Sequence, residues 1–285
     1  MRQPEDEGAP VLRTRDEIRR ASIPPRHPDL VVQRPMPGFV LPSDEEGNIF
    51  RTMSAVVAAF PRLERGGVSQ RIAEDGLRSL GFVALVLAFV SSILVYQAGI
   101  QAARVVPDMT TIGPSYLEIL TRDLAATLAA LMLATRVGAG IAAEIGGMRV
   151  TDQLDALRLS GADPVVTLVL PRVLASLVYT PLITLVGGAV AVASGTATGY
   201  FAFEINPATF LDFRFVDGVD IAMGIVKSLV FGAAVPLVSS HAGLYAEGGS
   251  RGVGDATTRA VVQSSLAVII LGFIIGAFVE IVGGS

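Results

Sequence analysis

The sequence predicts an all-α membrane protein: an N-terminal interfacial helix, five transmembrane helices, and a cytoplasmic helix between spans two and three. Three observations carry that prediction. Of 285 residues, 51% are hydrophobic and only 17% charged, with a mean hydropathy of +0.58, too apolar for an ordinary water-soluble domain. The cations are unevenly spread, since 12 of the 22 Lys and Arg residues lie at or before Arg78 and the other 10 leave long uncharged intervals. Within those intervals are five apolar stretches, each comparable with the ~20 residues an α-helix needs to cross a ~30 Å hydrocarbon core.

Residues 1–47 contain eight prolines and mixed charge with almost no periodicity, so they bury too little apolar surface to offset the entropy of ordering. They are expected to form a disordered cytoplasmic tail or to lie extended on a partner. Residues 1–10 are acidic and polar and no apolar core follows, unlike a signal peptide. From 48 the pattern changes. Ile49, Phe50, Met53, Val56, Val57 and Phe60 recur at helical spacing, with Arg51, Thr52 and Ser54 between them, until Pro61 stops the run. Such a helix suits a membrane surface, or a seat on the protein's own spans. A basic connector holding Arg62, Arg65, Arg71 and Arg78 completes the 48–79 segment, ahead of the five-span domain at 80–285.

The spans are predicted at 80–103, 124–143, 173–203, 221–244 and 260–279. Span two contains only Arg136, expected to snorkel or to pair with Glu144, and span four only Lys227. Span three is longer than a bilayer requires and includes Pro181 and Gly187-Gly188, where tilt or a local break is expected. Small residues at Gly138, Ala139, Gly140, Ala142 and Ala143, and again over 187–199, permit close helix contacts. Orientation follows from the positive-inside rule. Twelve arginines precede span one, and Arg149, Arg158, Arg172, Arg251 and Arg259 follow spans two and four; the opposite loops hold Arg104, Arg122 and Arg214. The N-terminus is therefore expected in the cytoplasm and the C-terminus outside it.

The absence of cysteine excludes disulfides, thiolate metal sites and a Cys nucleophile. Two histidines, His27 and His241, leave little for His-based metal or acid–base chemistry. A net charge of −4, with no basic patch interleaved with aromatics, argues against nucleic acid.

Between spans two and three, residues 144–160 read as one cytoplasmic helix, stopped by Gly161, with Asp163 capping span three and Pro164 in its first turn. Val150, Leu154 and Leu157 share one face; Thr151, Asp155 and Arg158 share another. On physics alone this is a helix across the mouth of a bundle, or a solvated amphipathic connector.

This segment resembles the MlaE/YrbE family of ABC-transporter permeases. The matching residues are Ala143-Glu144-Ile145-Gly146, Met148-Arg149, Thr151-Asp152-Gln153-Leu154-Asp155-Ala156-Leu157, Gly161, Asp163-Pro164 and Pro171-Arg172-Val173-Leu174-Ala175. Stretches 225–231, 256–262 and 264–267 also fit, so the likeness runs from about 48 to the C-terminus. The resemblance implies a homodimeric permease in a bacterial inner membrane. It further implies a coupling helix seated in a groove of a separate ATPase subunit, with ATP and Mg bound there and no cofactor in this chain. Glu144, Arg149, Thr151, Asp152, Gln153, Asp155 and Leu157 would be the coupling residues. An MCE-domain lipid carrier in the periplasm and a STAS-domain protein are the further partners it suggests.

Intramembrane charges are functional candidates by default. Arg122 and Asp123 open span two at its outer side, and Lys227 lies six residues into span four, roughly 9 Å deep at 1.5 Å per residue. By resemblance, these three line the lipid pocket, although the family's Arg-Glu-Leu-Gly-Pro run reads here as Arg122-Asp123-Leu124-Ala125-Ala126. Arg122 and Lys227 are expected to attract a phosphate-bearing headgroup, with Asp123 holding Arg122, while Ile93, Leu94, Tyr96 and Ile100 of span one contact acyl chains. The plain alternative is a structural ion pair of Asp123 with Lys227 or Arg122.

Rival functions have weaker support. Gly248-Gly249-Ser250-Arg251-Gly252 matches the G-x-S-x-G pattern of serine hydrolases, but no strand leads into it and His241 is the only candidate base. No phosphate-binding G-x-x-x-x-G-K-[ST] loop exists, because the only lysine is Lys227, so ATP must bind another chain. An ion-driven lipid transporter would favour inverted repeats and acids at mid-membrane depth, and neither is present.

Overall fold

The computed structural model describes residues 49–59, 68, 71–105 and 109–283; the expected tail at 1–47 lies outside the described residues. Every described element is helical. Five helices are long and apolar enough to cross a membrane: Ile72–Arg104, Ile112–Val150, Val165–Phe203, Gly218–Leu244 and Gly249–Ile281, hereafter spans one to five. Each contains the stretch expected from hydropathy and extends beyond it at one or both ends, because the helical hydrogen-bond ladder continues into flanking polar residues.

Span three runs along spans one and four, and span two lies against spans four and five. The main core joins Val83, Leu87 and Val95 of span one to Leu117, Leu133 and Ile145 of span two and Ile183 of span three. On the face of span two that meets Phe231, Val235 and Val268 of spans four and five, the buried residues are the small Ala126, Ala130 and Ala134. Bulky residues point outward instead: Phe89 and Ile93 on span one, Leu185 on span three, and Phe273 and Phe278 on span five. Small polar side chains such as Ser91, Ser239, Ser240 and Ser264 are inside. This inverted distribution is that of a bundle solvated by lipid, where helices associate through close packing and internal hydrogen bonds. Ser91, for example, hydrogen-bonds Tyr116 of span two and donates to the Ala191 carbonyl of span three at 2.6 Å.

Span three has no break. Its α-helix runs from Leu170 to Phe203 through Pro181, and a side chain at Gly187 would collide with Leu87, so the glycine expected to loosen the helix serves close packing against span one. Departures from α geometry occur elsewhere, as π-helical turns at Ile72–Leu77, Leu120–Leu124, Ala134–Gly138 and Val165–Val169.

The helix ahead of span one is Ile49–Ala59. One face seats Val56 against Val169, Leu170 and Val173 of span three, and Thr52 Oγ1 lies 3.1 Å from His241 Nδ1 of span four. Met53 and Val57 face outward, Val57 with 69% of its surface exposed. One face of this helix is thus seated on the bundle, and Met53 and Val57 leave an exposed apolar strip on the other.

The single helix expected over 144–160 is two pieces. Span two continues to Val150, an elbow follows at Thr151-Asp152, and a separate helix covers Gln153–Leu159. Asp152 adopts φ +57°, a left-handed conformation that Asp tolerates and a β-branched residue does not. Asp152→Val is expected to destabilise the elbow by roughly 1–3 kcal/mol while Asp152→Gly does not, measured by thermal unfolding in detergent. Gly161 at φ +83° stops the short helix, and Asp163 accepts the Val165 N–H at 2.9 Å, both as expected.

Candidate functional site

Two charged regions lie at opposite ends of the bundle. The first is built on the π turn at Leu120–Leu124, where Arg122 and Asp123, as neighbours on a helix, point to different partners. Asp123 faces span four, where its Oδ1 accepts from Lys227 Nζ at 2.6 Å and from Thr127 Oγ1 at 2.9 Å. Arg122 donates to Glu280 of span five at 2.9 Å and stands 3.8 Å from Asp220 at the start of span four. Asp220 is held in place by a capping box with Asp217. The expectation that Asp123 holds Arg122 is therefore corrected: Asp123 holds Lys227, and Asp220 and Glu280 hold Arg122.

The two pairs differ in character. Lys227 is only 3% exposed while the side chain of Asp123 is 51% exposed, so the cation depends on this carboxylate. Arg122 and Glu280 both reach the surface, which makes their pair weak and exchangeable.

A cavity of about 350 Å³ opens between the C-terminal half of span one and the start of span two, lined by Leu94, Ala98, Thr111, Ile112, Ser115, Tyr116, Ile119 and Leu124. Leu94 belongs to it as expected. Ile93, Tyr96 and Ile100 are not among its lining, and neither are Arg122, Asp123 and Lys227. Tyr96 instead packs its ring 5.8 Å from Phe203, and Ile93 is exposed on the outer surface.

The second region is the connector. Thr151, Asp152 and Gln153 are exposed around the elbow, and Asp155 sits between Arg149 at 3.4 Å and Arg158 at 3.3 Å. Leu154, 1% exposed, anchors the short helix in the main core, and Leu157 is half-buried. Glu144, itself exposed, gathers two arginines. Its carboxylate accepts from both terminal nitrogens of Arg71 at 3.0 Å and lies 2.7 Å from Arg172 Nη2. Arg136, expected to pair with Glu144, stands over the Phe82 ring at 6.0 Å. The hydrogen-bonded Glu144 carboxylate raises the Arg71 pKa above its ordinary value, so this cation persists at every physiological pH.

Arg71, Arg172, Asp220 and Glu280 are the functional candidates that hydropathy missed. With span three set to begin at 173, Arg172 passed for a flank, whereas the helix starts at Val165 and carries it two turns inside. Glu280 lies just past the stretch expected for span five, and the helix continues through it to Ile281. Ser250 lies in the first turn of span five, and His241 directs Nδ1 at Thr52 and packs its ring 4.9 Å from Tyr245, so nothing assembles a hydrolase dyad there. Among the described residues, no group of three or more His, Asp or Glu is placed to hold a metal ion.

Five lipid-facing helices with polar groups gathered at the two ends define a multi-pass membrane protein. The family model described as Permease MlaE matches residues 68–278. A probable ABC transporter permease protein of Rickettsia conorii is 36% identical over 228 residues, 79% of this chain and 87% of its own length. A protein of Synechocystis with the same description is 38% identical over 217 residues, covering 74% and 81%. The chloroplastic protein trigalactosyldiacylglycerol 1 of Arabidopsis thaliana is 33% identical over 211 residues, covering 73% and 60%. The chain belongs to the MlaE permease family.

Proposed function

We propose that this chain is the permease subunit of an ABC transporter that moves phospholipid or a related lipid between the bacterial inner membrane and an MCE-type carrier in the periplasm. It works as a homodimer, with the N-terminus and the connector in the cytoplasm and the C-terminus in the periplasm. ATP and Mg are handled by a separate ATPase subunit, whose groove receives the connector; a STAS-domain protein is a further partner. The observation that carries this reading is the connector itself: an exposed polar elbow and short helix, rooted by Leu154, bearing the family's motif. The relatives' names as ABC transporter permeases support the dependence on an ATPase.

At the periplasmic end, the Arg122 guanidinium exchanges Glu280 for a headgroup phosphate, which it can chelate through two parallel N–H bonds. Lys227, fixed by Asp123, adds positive field from within, and the apolar cavity beside Leu94 takes an acyl chain.

The test is lipid movement by the permease and ATPase reconstituted in proteoliposomes. Transport is expected to require ATP and to be indifferent to an ionophore. Arg122→Ala is expected to lower it about tenfold, the factor that loss of one charge-assisted hydrogen bond of ~1.5 kcal/mol represents. Transport that continues without ATP and collapses with the ionophore would establish an ion-driven transporter instead.

A further inference from the structure

The ion cluster around Glu144 has no part in the headgroup site, yet it is the most buried charge assembly at the connector end. Arg172 is 1% exposed, and among the described residues its Nε and Nη1 have no hydrogen-bond partner. Its Nη2 lies 2.7 Å from Glu144 Oε1, a close ion pair without hydrogen-bond alignment. Unmet donors on a buried guanidinium are costly, and such groups persist in folded proteins where strain or function retains them.

The positions of the three residues show what they join. Glu144 lies two turns before the elbow at Thr151-Asp152, on the helix that enters the connector. Arg172 lies two turns into the helix that leaves it. Arg71 directly precedes the π turn Ile72–Leu77 that opens span one. One carboxylate therefore fastens the two stems of the connector to each other and both of them to span one. Directly above this tie, spans one and three touch so closely that a Cβ at Gly76 would come within 2.8 Å of Tyr179 Cβ.

We propose that Arg71, Glu144 and Arg172 are positioning residues that convert displacement of the Gln153–Leu159 helix into movement of span one. This inference rests on the reading that the connector receives force from an ATPase. Compliant geometry flanks the short helix on both sides, the elbow before it and the π turn Val165–Val169 after it. Without a cross-tie, a push on the connector is absorbed in those two places. With the tie, both stems move as one body, and the bidentate Arg71 contact draws the start of span one with them.

The experiment measures lipid moved and ATP hydrolysed in the same vesicles, using the full permease–ATPase complex. Arg71→Ala leaves the buried Arg172–Glu144 pair intact and so tests the tie without exposing a bare buried charge. The expected result is ATP hydrolysis at the parental rate with lipid moved per ATP lowered roughly tenfold, within the range of ordinary coupling energies, and largely restored in Arg71→Lys. An unchanged lipid-to-ATP ratio in Arg71→Ala overturns the inference while leaving the transport reading standing. So does a parallel loss of assembly, hydrolysis and transport in both Arg71 variants, which is the signature of a merely structural role. A parental complex that moves no lipid on ATP overturns the transport reading and this inference with it.

Discussion

Replacing Asp123 by Asn is expected to cost on the order of 3 kcal/mol of stability, more than removing its partner, because it leaves the Lys227 ammonium buried with no counter-charge. The asymmetry is set by exposure. Lys227→Met removes the buried cation and leaves Asp123 as a half-exposed carboxylate rather than a buried charge without a partner. The Asp123→Asn, Lys227→Met double variant is therefore expected to recover most of the stability lost in Asp123→Asn alone. Thermal unfolding of the four proteins in one detergent gives the full cycle. Equal destabilisation by the two single variants would contradict the asymmetry.

The second large effect is expected at Leu154. A helix of seven residues is far below the length at which helices are stable in water, so Gln153–Leu159 depends on its anchor in the core. Leu154→Ala removes that anchor at a cost of about 3 kcal/mol, concentrated in the short helix because the spans keep their own contacts. Hydrogen exchange at 153–159 is expected to rise sharply while exchange within the spans stays slow. ATP-driven lipid movement is expected to be lost, since a frayed connector transmits no displacement. Retained protection of 153–159 would show that something other than Leu154 holds the helix.

The spans were legible because lipid contact demands long apolar runs, and no other feature of this chain has that length. The tight stop at Gly161 and the cap at Asp163 were legible too, since each rests on a local backbone rule. What escaped was of longer range. The elbow at Thr151-Asp152 interrupts a stretch whose periodicity continues smoothly across it, and an Asp in the left-handed region carries no signature of its own. The partners of Arg122 lie 98 and 158 residues away along the chain, so only the packing of spans four and five against span two decides that Asp220 and Glu280 hold it. Adjacency in sequence suggested Asp123, but neighbours on a helix do not face each other. Arg136 and Glu144 do not pair either: eight residues separate them, and Arg71 and Arg172 arrive from other helices and take the carboxylate.

The buried alanines of span two have a mechanical consequence. Interlocking side chains normally act as teeth, and sliding one helix past another requires them to change rotamer and repack. Ala126, Ala130 and Ala134 have no rotamers to change, so the face that span two turns to spans four and five is a plain bearing, whereas Leu117, Leu133 and Ile145 interlock in the main core. Rolling of span two is therefore easiest along its alanine face, while the larger side chains on its other face keep it in step with spans one and three.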